Sequence, residues 1–170
     1  LERLRDGRLE HDAHVPDERA EGRERALAVG GLVGLPVRYA RAARRIAEAW
    51  PQLRSIVFTL RESRSASHNN TGAMLYDPAS GETVVAPEVD GKYQPYEVNP
   101  IIDRIGAGDA FAGGFLYASQ TPGLDAPATA LEFGVAAACL AHSIPGDVNF
   151  VTRNEVEALM SGDRSGRIVR

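Results

Sequence analysis

The chain has 170 residues, 44% hydrophobic and 25% charged, with a formal net charge of -4. That balance suits one globular domain with a substantial core, and it gives no electrostatic case for nucleic acid or an anionic membrane as a partner. A single cysteine, Cys139, excludes an internal disulfide and a Cys-based zinc site, and no run approaches the roughly 20 apolar residues of a membrane span, so a cytoplasmic protein is expected.

Residues 1–24 mix both charge signs with few large apolar side chains. Residues 1–25 are therefore expected to form a polar, loosely ordered leader, with the folded domain in 26–170. His11 and His14 flank Asp12, but without further ligands nearby they read as solvated histidines. The chain opens on Leu1 rather than Met, and the expectation is a piece of a longer protein. Ala26 to Leu35, ALAVGGLVGL, is a small apolar run too rich in glycine to read as helix or strand.

Pro36 starts a helix, PVRYARAARRIAEAW, with Val37, Ala40, Ala43, Ile46, Ala47 and Trp50 at helical spacing and Pro51 ending it. Arg38, Arg41, Arg44 and Arg45 fall mostly on its polar side, a solvated face rather than a phosphate row. Ser55 to Leu60, SIVFTL, reads as a buried strand, and helix followed by strand points to a parallel α/β sheet. A polar excursion follows, then a strand from Ala73 to Tyr76 that pairs with Thr83 to Ala86 across the turn PASG. Tyr96 to Ile102 is an extended piece broken by Pro100. Asp125 to His142 is a long helix of small apolar residues, and Thr152 with Glu155 reads as the capping box of a terminal helix.

Asp103 to Leu116, DRIGAGDAFAGGFL, is the stretch on which the rest depends. Gly106, Ala107, Gly108 and Asp109 form a tight turn at a helix start, where free backbone N–H groups and the helix dipole favour an anion. Asp109 at its mouth is placed to accept a hydroxyl proton while those N–H groups face a phosphoryl group in transfer. The competing reading is a first-turn acid favoured by the dipole, with glycines that serve close packing.

DRIGAGDAFAGGF closely resembles the C-terminal signature of ribokinase-like (PfkB family) carbohydrate kinases, and TLRESRSASHNNTGAMLYD is similar to the variant in 2-keto-3-deoxygluconate kinases. The resemblance spans about residues 56–169. It implies an α/β, ribokinase-like parallel sheet flanked by helices, present as the C-terminal half, with the lid domain missing. It also implies phosphoryl transfer from ATP, with Mg2+ and K+, to a sugar or sugar-acid hydroxyl, and leaves self-association into a homo-oligomer open.

On this resemblance Asp109 is the base and Gly106, Ala107 and Gly108 the anion hole. Thr59, Arg61, Gly72 and Gly134 border the nucleotide, with Phe133 or Gly134 facing adenine. Asp103 and the backbone of Ile105 hold a monovalent cation, and Asp147 reaches the substrate. His68, Asn69 and Asn70 either contact nucleotide or satisfy a loop. Asn154 and Glu157 imitate a magnesium-site spacing, but they lie downstream of the GAGD turn and belong to the terminal helix, so no protein-held metal is assigned. The competing function is a fragment that binds nucleotide or a partner chain without catalysis. An NAD-dependent dehydrogenase is disfavoured because no GxGxxG follows a strand.

Overall fold

The computed structural model describes residues 35–162. The expected leader, the ALAVGGLVGL run as far as Gly34 and the tail beyond Gly162 lie outside the described residues. Helix α1 (Leu35–Ala49) turns Ala40 and Ala43 inward and leaves Arg38, Arg41 and Arg45 exposed, as the apolar spacing requires. Trp50, expected on the apolar face, lies one residue past the helix and is half exposed.

Strands β1 (Ile56–Ser65), β2 (His68–Asp77), β3 (Glu82–Ala86) and β6 (Tyr96–Val98) make a four-stranded sheet, with β4 (Glu88–Val89) and β5 (Lys92–Tyr93) as a separate small ribbon. The central strand is β2. It pairs with β1 along one edge, and along the other with β3 and β6 at opposite ends. All these pairings are antiparallel, which corrects the expected parallel sheet. The short connections at residues 66–67 and 78–81 decide it, because parallel neighbours need a crossover of a dozen or so residues. The polar excursion is likewise strand rather than loop, since Arg61↔Thr71 and Glu62↔Asn70 extend the β1–β2 ladder to its tip. The expected extended piece before Asp103 shrinks to β6.

Both faces of β2 are covered. Ala73 and Leu75 face a core shared with helix α3 (Pro127–Ala141), while Met74 and Tyr76 face a second core beneath α1. The strict two-residue alternation of side chains divides one strand between two layers. Helices α2 (Ala107–Ser119) and α4 (Arg153–Met160) pack against α3, giving an α/β arrangement with helices on both faces. Close contact between α2 and α3 rests on Gly114 and Gly134, since a Cβ at Gly134 would lie 2.9 Å from the Phe111 carbonyl oxygen. Helix α4 begins with the expected capping box. The Glu155 N–H donates to Thr152 Oγ1 at 3.4 Å, and the Thr152 N–H donates to Glu155 Oε2 at 2.7 Å.

Candidate active site

Gly106 precedes α2 with φ of 78°, a left-handed conformation that non-glycine residues adopt only at a cost. A Cβ there would also lie 2.8 Å from the backbone oxygen of Asp147. The two facts bring the GAGD turn and the loop of residues 143–150 together at one point. No side chain caps the start of α2, in contrast to α4, so its first-turn N–H groups lack a side-chain acceptor. Asp109 stands exposed in that first turn, with Ala107 buried behind it and Gly108 open to solvent.

Asp103 staples this region. Its Oδ1 accepts from the N–H groups of Arg104 (2.6 Å) and Ile105 (3.0 Å), and its Oδ2 accepts from Gly146 N–H (2.9 Å). The N–H groups of Ile105, Gly146 and Arg104 hold its carboxyl below the ordinary carboxylate value, because they favour the ionised form. Behind it, the His142 carbonyl accepts from Ile102 N–H (2.8 Å) and Asp103 N–H (3.2 Å). His142 is buried, and burial pushes its pKa down, with a backbone bond to Ala138 opposing and the charges of Arg104 and Arg61 adding to the fall.

The remaining sequence-derived candidates lie on several elements. Thr59 and Arg61 are exposed on β1, and Arg61 is near enough to influence His142. Gly72 is buried under Tyr93, whose hydroxyl would overlap a Cβ there, so packing accounts for this glycine. Gly134 is taken up by the α2–α3 contact. Phe133 instead lines an open groove of about 410 Å³ between α2, α3 and α4, which begins at Ala110 and continues past Gly113 to Tyr117. His68 on β2 pairs with Glu97 of β6 at 2.9 Å, and Asn70 donates to Glu62 of β1 at 3.1 Å, so both are engaged with neighbouring strands. Ile105 and Asp147 are exposed beside the turn.

Sequence reasoning missed Arg104 and undervalued Asn69. Arg104 Nη2 donates to the Ala66 carbonyl; with the Asn69 amide assigned in the orientation that satisfies its neighbours, its oxygen toward arginine and its nitrogen toward acceptors, Nη1 donates to Asn69 Oδ1 at 2.8 Å. The available signal was an arginine directly after the turn-forming Asp103, in a chain whose hairpin tip is rich in acceptors. Among the described residues, no group of three or more His, Cys, Asp or Glu side chains could hold a metal ion, and no helix is long and apolar enough to cross a membrane.

An α/β fold that presents an uncapped glycine turn with an exposed aspartate matches a known class. The chain belongs to the pfkB family of carbohydrate kinases, whose sequence pattern matches residues 64–154. It is similar to a 2-dehydro-3-deoxygalactonokinase from Haloferax volcanii, 40% identical over 73 residues that make up 43% of this chain and 22% of that protein. Among solved structures it is similar to a 2-dehydro-3-deoxygluconokinase from Thermotoga maritima, with 36% identity and a TM-score of 0.61 over 73% of this chain and 34% of the other. A PfkB family carbohydrate kinase from Listeria grayi superimposes with a TM-score of 0.57 at 26% identity, covering 75% of this chain and 36% of its own. The chain thus spans about a third or less of the length of these relatives.

Proposed function

We propose that this chain carries the nucleotide-handling, base-bearing part of an ATP-dependent kinase acting on a hydroxyl of a 2-keto-3-deoxy sugar acid. The observation that supports this reading is the uncapped start of α2, with Gly106 in its left-handed conformation and Asp109 exposed in the first turn. Asp109 takes the proton of the sugar hydroxyl as the hydroxyl oxygen bonds to the γ-phosphorus of ATP, and ADP leaves. The N–H groups of Gly106, Ala107 and Gly108 face the charge on the transferring phosphoryl group. The Asp147 loop lies over the same turn and is the substrate-side wall. The substrate class is taken from the similarity to kinases named for 2-dehydro-3-deoxy sugar acids.

The site residues suit the expected ions in different ways. Asp103 Oδ2 accepts one hydrogen bond and keeps a lone pair, so this oxygen and the Ile105 carbonyl would hold a monovalent cation, whose charge would support the anion hole. Magnesium would arrive on the ATP phosphates, where it neutralises charge.

The test is sugar-dependent ADP release with ATP, magnesium and potassium, comparing 2-keto-3-deoxygluconate with ribose, fructose and no sugar. It is run on this chain and on this chain joined to the remaining segments of a pfkB kinase. Asp109→Asn is expected to lower turnover by roughly 10²–10⁴-fold while ATP affinity holds. Undiminished turnover in that variant refutes the base assignment. A second reading, nucleotide or partner binding without turnover, is favoured by the short span of the relatives that the chain covers and by the exposure of Ile105 beside the turn and of Val148 and Phe150 in the 143–150 loop. ATP binding with no ADP release from either protein would support it.

A further inference from the structure

The loop that delivers Asp109 is fastened on two sides. On the α3 side, Asp103 grips Gly146, and the His142 carbonyl accepts from residues 102 and 103. On the sheet side, Ile101 N–H donates to the Ser67 carbonyl at 2.9 Å, and the Arg104 guanidinium spans two acceptors, the Ala66 carbonyl and Asn69 Oδ1. Asn69 is fully buried, on the face of β2 that carries Ala73 and Leu75 toward α3. In that same assigned orientation its amide nitrogen donates to the His68 carbonyl at 3.0 Å and to Ser63 Oγ at 3.3 Å. The Asn69 oxygen is thus satisfied by Arg104, and without that partner it would be a buried acceptor left unpaired. A planar guanidinium can meet two acceptors on adjoining segments at once, whereas an ammonium on a flexible stem meets them as a point charge.

We propose that Arg104 and Asn69 are positioning residues, a clamp that ties residues 105–109 to the hairpin tip of residues 66–69 and so fixes the direction of Asp109 and the first-turn N–H groups. The clamp joins two strings that sequence alone keeps apart, the SRSASHN tip and the arginine of DRIG. Its role in catalysis rests on the function proposed above, but the clamp itself can be read without turnover.

The experiment is amide hydrogen exchange on the 170-residue chain, comparing the wild type with Arg104→Ala, Arg104→Lys, Asn69→Ala and the Arg104→Ala/Asn69→Ala double variant, with ATP affinity measured by titration on each. Each single alanine variant is expected to exchange about tenfold faster or more at the hydrogen-bonded amides that flank the turn, those of Ile101, Ile102, Asp103, Ile105 and Ala110, with the interior of α3 unchanged. The double variant is expected to be no faster than the faster single, Arg104→Lys to recover only part of the protection, and ATP affinity to fall in step. Unchanged exchange at these five amides in Arg104→Ala overturns the clamp, as do single effects that multiply in the double variant. Faster exchange with wild-type ATP affinity overturns its positioning role. If Asn69→Ala exposes α3 as well, the two Arg104 variants decide, because that side chain lies at the surface. A wild-type chain that binds no ATP counts against the proposed function, while the exchange comparison still decides the clamp.

Discussion

Alanine at Gly106 puts two penalties on one residue. The left-handed φ of 78° costs an L-residue about 1–2 kcal/mol. The new Cβ would stand 2.8 Å from the Asp147 oxygen, a backbone atom, so the 145–147 loop has to retreat. That retreat stretches the 2.9 Å bond from Gly146 N–H to Asp103, a bond worth about 1 kcal/mol. The expected loss is about 2–3 kcal/mol, or roughly a 30- to 150-fold fall in the folded-to-unfolded ratio. A matched control removes the chemistry of the substitution from the comparison. Gly113 sits inside α2 with nothing within 4 Å of an added Cβ, so Gly113→Ala is expected to stabilise by about 0.5–1 kcal/mol. Parallel urea unfolding followed by far-ultraviolet circular dichroism measures both. Loss of less than about 0.5 kcal/mol in Gly106→Ala, or a shift of both variants in the same direction, would refute the reasoning.

Two further outcomes follow from the loops around this turn. The three N–H groups on Asp103 lower its pKa, so the tie it makes is present above the unfolded-state value and is lost as pH falls through the lower folded value. The Gly146 amide resonance is therefore expected to shift only below about pH 4 and to lose that transition in Asp103→Asn; a midpoint at or above the ordinary carboxylate value would count against the staple. At the start of α4, Thr152→Ala removes the acceptor for the Glu155 N–H and is expected to cost about 1 kcal/mol in thermal or urea unfolding. An unchanged midpoint would show the box to be without energetic weight.

The local elements were legible where a short-range rule governs them. The apolar spacing of α1, the short β-branched and apolar run of SIVFTL, the 73–76 and 83–86 hairpin and the Thr152 capping box depend on neighbours a few residues away, and each element is present in the fold, although in β1 only Ile56 and Leu60 are buried. The GAGD turn was legible for the same reason, since a left-handed glycine and an aspartate in the next helical turn are a contiguous pattern. The sheet direction was misread because helix-then-strand order says nothing about which strand is the neighbour. The tight connection at residues 66–67 sets that, and it was hidden inside a polar string that looked like loop.

What the sequence determined by itself was the chemistry on offer: a helix start stripped of side-chain caps, a carboxylate beside it, and small residues that let two helices approach. The tertiary structure decided which of the candidate residues meet and what each one touches. Gly72 and Gly134 are taken up by contacts with Tyr93 and with the Phe111 backbone, whereas Arg104 and Asn69 meet across the hairpin tip to hold the turn. Hydrogen bonds and steric contacts act over a few ångströms in space, and residues distant along the chain reach that range only once the sheet and helices have packed.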